Sequence, residues 1–172
     1  MDRYYINFDG SCWPKNPGGF ARYGAVIFKN GNRIHTIQGV MEETETSNNV
    51  GEYGGLIMAL TYLLSIEAQN NEVVVIGDSK LVISQMFRGW RIKNGFYVKY
   101  AKYCKELVNK FQKIKGKLVP REMNEEADNL ASFYSTDRVK VPFIDNSLFG
   151  SIKENHISED EVASLMAIAP YK

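Results

Sequence analysis

The dipeptide Asn30-Gly31 joins two strand-like runs in the segment RYGAVIFKNGNRIHTIQGVM. Both central residues of a type I′ turn need positive φ, which Asn and Gly adopt at low cost, so Asn-Gly is the strongest short signal for a β-hairpin. The preceding segment YYINFDG alternates between apolar and polar positions and ends near Asp9, a pattern typical of a strand. The chain is therefore predicted to begin with three antiparallel strands.

Helical and apolar segments then alternate. The segment TSNNVGEYGGLIMALTYLLSIEAQ has helical spacing, with Ser47 or Asn48 as its cap and with Gly54 and Gly55 leaving room for a neighbouring backbone. EVVVIGDS is typical of a buried central strand. Helices are predicted in SKLVISQMFRG and FYVKYAKYCKELVNKFQKI, a strand in GKLVPRE, and a last helix capped by Asn124. The order β-β-β-α-β-α-α-β-α predicts an α/β fold with helices on a mixed sheet.

The length of 172 residues suits one ordinary domain. No stretch approaches the roughly 18 apolar residues of a membrane span, and the N-terminus lacks a signal-peptide core. Cys12 and Cys104 form no Cys-x-x-Cys motif, so we expect reduced thiols in a cytoplasmic protein with no membrane contact. We predict a main domain at 1–135 and an extension at 136–172 that packs on it, with a terminal helix capped by Ser158 and Glu161.

Charge is sorted along the chain. Ser79 to Arg121 holds twelve Lys and Arg and one acid, whereas Glu122 to the end holds ten acids and four Lys and Arg. A basic middle segment fits a surface that faces phosphates. Charge alone fits a solvated basic helix equally well.

Four acids stand where strands end or helices begin: Asp9, Glu52, Asp78 and Asp128. Such ends gather at one edge of an α/β sheet, where these folds place their sites. Carboxylate oxygens at this density suit Mg²⁺ or Mn²⁺ better than Zn²⁺. Singly, each acid also fits a turn residue, a cap or a partner of the helix dipole, and spacing does not identify the function.

The motifs FDGSC, NPGG, YGAVI, TSNNVGEYGGLIMAL, IGDSKLVISQ and NEEADNLAS occur in this order between Arg3 and Ser135. Together they resemble type 1 ribonuclease H, and RGWRIKNGF is most similar to its archaeal-type and plant-like branches. The resemblance implies a five-stranded mixed sheet, with strands one to three antiparallel, flanked by helices. It makes 1–135 the catalytic domain.

The resemblance also implies a reaction, the endonucleolytic cleavage of the RNA strand in RNA–DNA hybrids to 5′-phosphate and 3′-hydroxyl ends. Asp9 would bridge two Mg²⁺ ions, with Mn²⁺ as a possible substitute. Glu52 and Asp78 would complete the ligands of one ion, and Asp128 would help hold the other. A Ser-His or Cys-His scheme has little support, since His35 lies in a strand pattern and the second histidine in the tail.

Substrate contacts follow from the same resemblance. Three asparagines would read 2′-hydroxyls, the groups that distinguish RNA from DNA: Asn16, which lies one residue later than usual, Asn48 and Asn49. Ser47 and Asn94 would grip a phosphate of the DNA strand. Trp90 either stacks on that strand or packs under its helix. Four cations are candidate backbone contacts or plain surface charges: Arg88, Arg91, Lys93 and Lys99.

Two positions depart from the family pattern. Gly51 replaces the usual Ala before the helix Glu, which suggests a looser placement of Glu52. The loop PREMN holds Arg121 where relatives often have His. Arg stays protonated and cannot act as a general base, but it can bind a phosphate or help the product leave.

Two other functions compete with hybrid cleavage. One keeps the fold and cleaves double-stranded RNA or another nucleic acid. The other is a non-catalytic module that binds RNA–DNA hybrids, although clustered acids would not help such a module near phosphate. A proofreading exonuclease is disfavoured, because the first motif is Asp9-Gly10-Ser11 and not Asp-x-Glu. We expect a monomer whose affinity for hybrid depends on the catalytic domain alone.

Overall fold

The strands and helices follow one another in the predicted order. The computed structural model describes residues 1–41, 46–132, 141–143 and 153–155. Its strands are β1 (Arg3–Trp13), β2 (Phe20–Lys29), β3 (Asn32–Val40), β4 (Glu72–Gly77), β5 (Lys113–Leu118), β6 (Val141–Phe143) and β7 (Lys153–Asn155). Its helices are α1 (Asn48–Ser65), α2 (Lys80–Phe87), α3 (Val98–Val108) and α4 (Glu125–Ala131), with short 3₁₀ turns at Ala68–Asn70 and Arg121–Met123.

Strands β1 to β5 form one mixed sheet in the order β3-β2-β1-β4-β5. The pairs β1–β2 and β2–β3 are antiparallel, whereas β1–β4 and β4–β5 are parallel. In the central strand β1, Ile6 pairs with Ile27 on one side and with Val75 on the other, and all three are fully buried. The predicted mixed sheet with three antiparallel strands is confirmed.

The hairpin between β2 and β3 is confirmed at the predicted dipeptide. Asn30 has a φ of 50° and Gly31 a φ of 86°, the positive values that a type I′ turn needs. The side-chain oxygen of Asn30 also accepts a 2.9 Å hydrogen bond from the main-chain N–H of Arg3. The turn is thereby joined to the start of β1.

Helices cover both faces of the sheet. Tyr23 and Gly24 are adjacent in β2 and therefore point to opposite faces. A Cβ on Gly54 of α1 would lie 3.1 Å from the Tyr23 ring, whereas a Cβ on Gly24 would lie 2.8 Å from the Ala127 carbonyl oxygen of α4. Hence α1 and α4 lie on opposite faces, and α2 and α3 pack beside α1. The predicted close approach of a neighbouring backbone to α1 is confirmed at Gly55, where a Cβ would lie 2.9 Å from the main-chain oxygen of Gly24.

The third helix is shorter than predicted and the fifth strand begins earlier. The apolar spacing suggested a helix through residue 114, but α3 ends at Val108 and β5 starts at Lys113. Phe111, which continued the helical stripe, instead packs into the core just past the helix end. Pairing with β4, in which Lys113 lies opposite Glu72, decides the boundary, and local spacing could not reveal that pairing.

The predicted extension is described only in part. Strands β6 and β7 pair antiparallel, and β6 lies beside β3. The capped helix predicted from Ser158 falls outside the described residues, and the division at residue 135 stays a prediction. Cys12 and Cys104 are free, as expected. None of the helices in the described ranges has the length and apolar character needed to cross a membrane.

Candidate active site

The four acids predicted as metal ligands reach one cavity from four different elements. Asp9 lies within β1, Glu52 in α1, Asp78 directly after β4 and Asp128 in α4. The prediction that the first strand ends near Asp9 was wrong, because β1 continues to Trp13 through its pairing with β2. The parallel pairing of β1 with β4 stops at Asn7 and Ile76, so Asp9 and Asp78 both follow it at the same edge of the sheet. All four acids line a cavity of about 340 Å³ together with Arg121. Their role as metal ligands stays a prediction.

A close approach of β1 and α1 brings two of the acids together. A Cβ on Gly10 would lie 2.1 Å from the main-chain nitrogen of Glu52, and a Cβ on Gly51 would lie 2.5 Å from the carbonyl oxygen of Arg22. Neither position has room for a side chain. Gly51 therefore serves close packing of α1 on the sheet, and not the looser placement of Glu52 that the departure from Ala suggested.

Two of these acids hold their protons unusually tightly. Asp9 is only 6% exposed, and burial, reinforced by the charge of Asp78, raises the pKa of Asp9 to about 8 against the opposing hydrogen bond from the Gly10 N–H. Burial also raises the pKa of Glu52 to about 7, although a hydrogen bond from Ser79 opposes this shift. Burial is the main cause of both shifts, so ionisation of either acid is unfavourable in the cavity without a cation.

Ser79 holds Glu52 in place. Its hydroxyl donates to Oε2 of Glu52 over 2.7 Å and accepts from the main-chain N–H of Val82 at 3.2 Å. Ser79 is thus both the N-cap of α2 and a link to α1. A Ser before a helix is recognisable as a cap, but its bond to a residue 27 positions earlier was not apparent from the sequence.

The prediction that the Asn124 side chain caps α4 was wrong, because that side chain makes no hydrogen bond to the first turn of the helix. The side chain is buried, and its Nδ2 donates to the carbonyl oxygen of Phe8 at 2.8 Å and to Oδ1 of Asp78 at 3.2 Å. Its Oδ1 accepts from Nδ2 of Asn7 at 3.4 Å. The amide therefore joins β1, the end of β4 and the start of α4. It donates to a buried carbonyl oxygen and a carboxylate that would lack this donor if the side chain capped the helix instead.

Arg121 lies against Asp128. One terminal nitrogen of its guanidinium donates to Oδ1 at 3.0 Å and to Oδ2 at 3.3 Å. This hydrogen bond, strengthened by the charge of Asp128, raises the pKa of Arg121. Because the guanidinium also lines the cavity, it supplies a positive charge among the acids.

The donor set fits a divalent cation, although the ligand geometry is not preformed. Among the residues that the structure describes, no three His, Cys, Asp or Glu side chains are grouped closely enough to ligate one ion. Glu52, Asp78 and Asp128 each have a separate hydrogen-bond partner: Ser79, Asn124 and Arg121. All four donors are carboxylates, which Mg²⁺ and Mn²⁺ prefer. A cation would offset the burial and the charge of Asp78, which together raise the pKa of Asp9.

The predicted substrate contacts divide into two groups. Asn16 and Asn48 line the cavity, and Oδ1 of Asn16 accepts from the main-chain N–H of Asn48 at 3.0 Å. The other predicted contacts are not among the residues lining the cavity: Ser47, Asn49, Trp90, Asn94 and the cations Arg88, Arg91, Lys93 and Lys99. Ser47 caps α1 by accepting from the Val50 N–H at 3.3 Å.

Trp90 does not pack under its helix. It is 48% exposed, and Nζ of Lys80 lies 5.7 Å from the centre of its ring. His35 lies in β3, as its strand pattern predicted, and stacks on Tyr62 with ring centroids 4.0 Å apart. His156 lies outside the described residues.

Comparisons with known proteins place this chain in a family. Residues 7–134 match the family described as reverse transcriptase-like. The bifunctional protein Rv2228c from Mycobacterium tuberculosis is 35% identical over 117 residues, which are 68% of this chain and 31% of that protein. The chain thus corresponds to one part of that relative.

Solved structures share the fold over most of its length. The N-terminal ribonuclease H domain of Rv2228c has 32% sequence identity and a TM-score of 0.67, over 76% of this chain and 91% of that chain. Ribonuclease H1 from the archaeon Halobacterium salinarum has 29% identity and a TM-score of 0.64, over 74% and 93%. LC11-RNase H1, solved in complex with an RNA/DNA hybrid, has 30% identity and a TM-score of 0.63, over 76% and 93%.

Proposed function

Because this chain belongs to the reverse transcriptase-like family and has the fold of type 1 ribonuclease H, we propose that it is an endonuclease that cleaves the RNA strand of RNA–DNA hybrids. Its products would carry 5′-phosphate and 3′-hydroxyl ends. The observation that carries this proposal is the convergence of four carboxylates from four elements in one cavity. The complex of LC11-RNase H1 with an RNA/DNA hybrid supports the choice of substrate.

Two Mg²⁺ ions, or Mn²⁺ in their place, are the proposed cofactors. When bound, such a pair supplies an activated water and stabilises the leaving oxygen of a phosphodiester. Asp9, Glu52, Asp78 and Asp128 would hold them. Within the chain, Ser79 and the other partners of these carboxylates orient them toward the cavity.

Arg121 stays protonated throughout the reaction, because an Arg side chain does not deprotonate in proteins. Its guanidinium lies at the cavity wall on Asp128. We assign it to a phosphate of the substrate or product, which it can reach once it releases that carboxylate. It therefore replaces part of the role of the loop histidine in relatives without moving a proton.

Selectivity for RNA is assigned to the asparagines at the cavity wall. Oδ1 of Asn16 is engaged by the Asn48 N–H at 3.0 Å, which leaves the amide N–H groups of Asn16 for the substrate. Asn48 is exposed at the first turn of α1. Both can donate to or accept from a 2′-hydroxyl, the group by which a protein distinguishes RNA from DNA.

The DNA strand is assigned to the exposed segment after α2. Trp90 presents nearly half of its surface there, and Arg91, Lys93 and Asn94 are exposed beside it. An aromatic ring among cations is the usual combination for stacking bases and neutralising phosphates.

The test uses four labelled duplexes with Mg²⁺ or Mn²⁺: RNA–DNA, RNA–RNA, DNA–DNA, and DNA with one embedded ribonucleotide. Cleavage of the RNA–DNA hybrid in its RNA strand is expected. Cleavage of RNA–RNA alone would replace the proposal with the double-stranded RNA nuclease. Binding of hybrid without cleavage of any duplex would favour the non-catalytic module.

Asp128→Asn is predicted to abolish cleavage while hybrid binding persists, because it removes a ligand but no substrate contact. Glu125→Gln is the matched control, since Glu125 is an exposed acid in the first turn of the same helix. Cleavage by Asp128→Asn at the wild-type rate would refute the four-carboxylate assignment.

A further inference from the structure

A buried glutamine in α2 links three residues through hydrogen bonds of its side-chain amide. Gln85 is 3% exposed, and an amide at such a site is unfavourable unless its polar atoms are paired. Its Oε1 accepts from the Tyr53 hydroxyl at 2.5 Å, and its Nε2 donates to the carbonyl oxygen of Arg91 at 3.0 Å and to the Tyr97 hydroxyl at 3.2 Å. Both amide hydrogens and the amide oxygen therefore have partners.

The partners determine which way the amide faces. A main-chain carbonyl such as that of Arg91 can only accept a hydrogen bond, so Nε2 of Gln85 must face it. Oε1 then faces Tyr53, whose hydroxyl must donate. An apolar side chain or a carboxylate at position 85 could not donate to the Arg91 carbonyl.

These three bonds connect two regions that function together in the proposed enzyme. Tyr53 is fully buried in α1 and directly follows Glu52. Arg91 and Tyr97 belong to residues 88–97, which we call the basic loop. The Tyr53 and Tyr97 rings also stack, with centroids 5.9 Å apart and an interplanar angle of 10°.

The basic loop needs such an anchor because it has little regular structure of its own. Residues 89–93 belong to neither a helix nor a strand, and most of the loop is exposed, including Trp90 and Phe96. One amide inside the core holds the loop at Arg91 and again at Tyr97. Between these two anchors lie Lys93 and Asn94.

We propose that Gln85 is a positioning residue that holds the basic loop in register with the catalytic acids. The proposal rests on the proposed function, because it assumes that the basic loop receives the DNA strand of the hybrid. A loop that is already ordered loses less conformational freedom when nucleic acid binds, which favours affinity. Gln85 contacts none of the four acids and is not among the residues lining their cavity, so its loss should weaken hybrid binding more than the chemical step.

The test compares Gln85→Met, which keeps the length and helical preference of the side chain, with Tyr97→Phe, which removes one hydroxyl and keeps the ring. Ile27→Val in β2 is the matched control, since it creates a small core defect far from the loop. Hydrogen–deuterium exchange of residues 88–97 is measured without nucleic acid. Hybrid affinity is measured in the Asp128→Asn background, and KM and kcat in the active enzyme.

Gln85→Met is expected to accelerate exchange in the basic loop at least tenfold and to raise Kd and KM roughly tenfold, with kcat within about twofold of wild type. Tyr97→Phe should increase loop exchange, Kd and KM by smaller factors. Unchanged loop exchange, a fall in kcat at constant KM, or equal effects from Ile27→Val would overturn the proposal. If the unmodified protein does not bind hybrid, the proposed function fails separately, and loop exchange still decides whether Gln85 anchors the loop.

Discussion

Asp9→Asn is predicted to stabilise the metal-free protein at neutral pH and to weaken its pH dependence. Burial, reinforced by Asp78, raises the pKa of Asp9 to about 8 from an ordinary value of 3.8. Asn has nearly the same shape, and its oxygen can still accept the Gly10 N–H bond, which is 2.8 Å long in the wild-type protein. The substitution therefore removes the charge with little change in packing.

The magnitude follows from proton linkage. Folded Asp9 keeps its proton to a higher pH than unfolded Asp9, so between about pH 4 and pH 8 the folded state binds more protons and stability falls as pH rises. One carboxylate contributes up to about 1.4 kcal/mol per pH unit in that window. The stability advantage of Asp9→Asn should therefore grow by about 2 to 3 kcal/mol from pH 5 to pH 7. The raised pKa of Glu52 adds a pH dependence of the same sign to both proteins.

Urea denaturation in the presence of a chelator, at pH 5 and at pH 7, measures this difference. Glu125→Gln removes an exposed acid and should keep the pH dependence of the wild type. Adding Mg²⁺ at pH 7 should reduce the difference in free energy of unfolding between Asp9→Asn and the wild type, because a cation in the cavity stabilises the wild type more than the variant. Parallel loss of stability with pH in wild type and Asp9→Asn would refute the electrostatic reasoning.

Two further changes test the partners of the carboxylates. Arg121→Gln should release Asp128 from its ion pair and so lower the Mg²⁺ concentration needed for half-maximal metal binding. The change should be up to about fivefold, since a partly exposed ion pair contributes at most about 1 kcal/mol. Calorimetric titration measures Mg²⁺ binding, and weaker binding by the variant would contradict the prediction. Asn124→Ala should lower the free energy of unfolding by about 1 to 3 kcal/mol, because it leaves a buried carbonyl and Asp78 without their donor. Exposed Asn129→Ala in the same helix is its control, and equal losses in the two variants would argue against a special role for the buried amide.

Several elements could be predicted from the sequence because they depend on neighbouring residues. The hairpin at Asn30-Gly31 follows from the positive φ that both residues accept. The start of α1 follows from Ser47, whose hydroxyl caps a nitrogen three residues ahead. Glu52, Asp78 and Asp128 could be placed for a related reason, since the end of a buried strand and the start of a helix are local features and such ends gather at one sheet edge. Asp9 reaches the same edge from within β1, which continues to Trp13.

Other features depend on residues that are distant in sequence, and only folding brings these together. Asn124 has the position of a helix cap, but its amide bonds to Phe8, 116 residues earlier, because β1 passes beside the start of α4. The start of β5 at Lys113 depends on pairing with Glu72. Burial and neighbouring charge set the pKa of Asp9. Local sequence therefore predicted the four acids that line the cavity. Packing determines their partners, charge states and positions, because these arise between elements that are far apart along the chain.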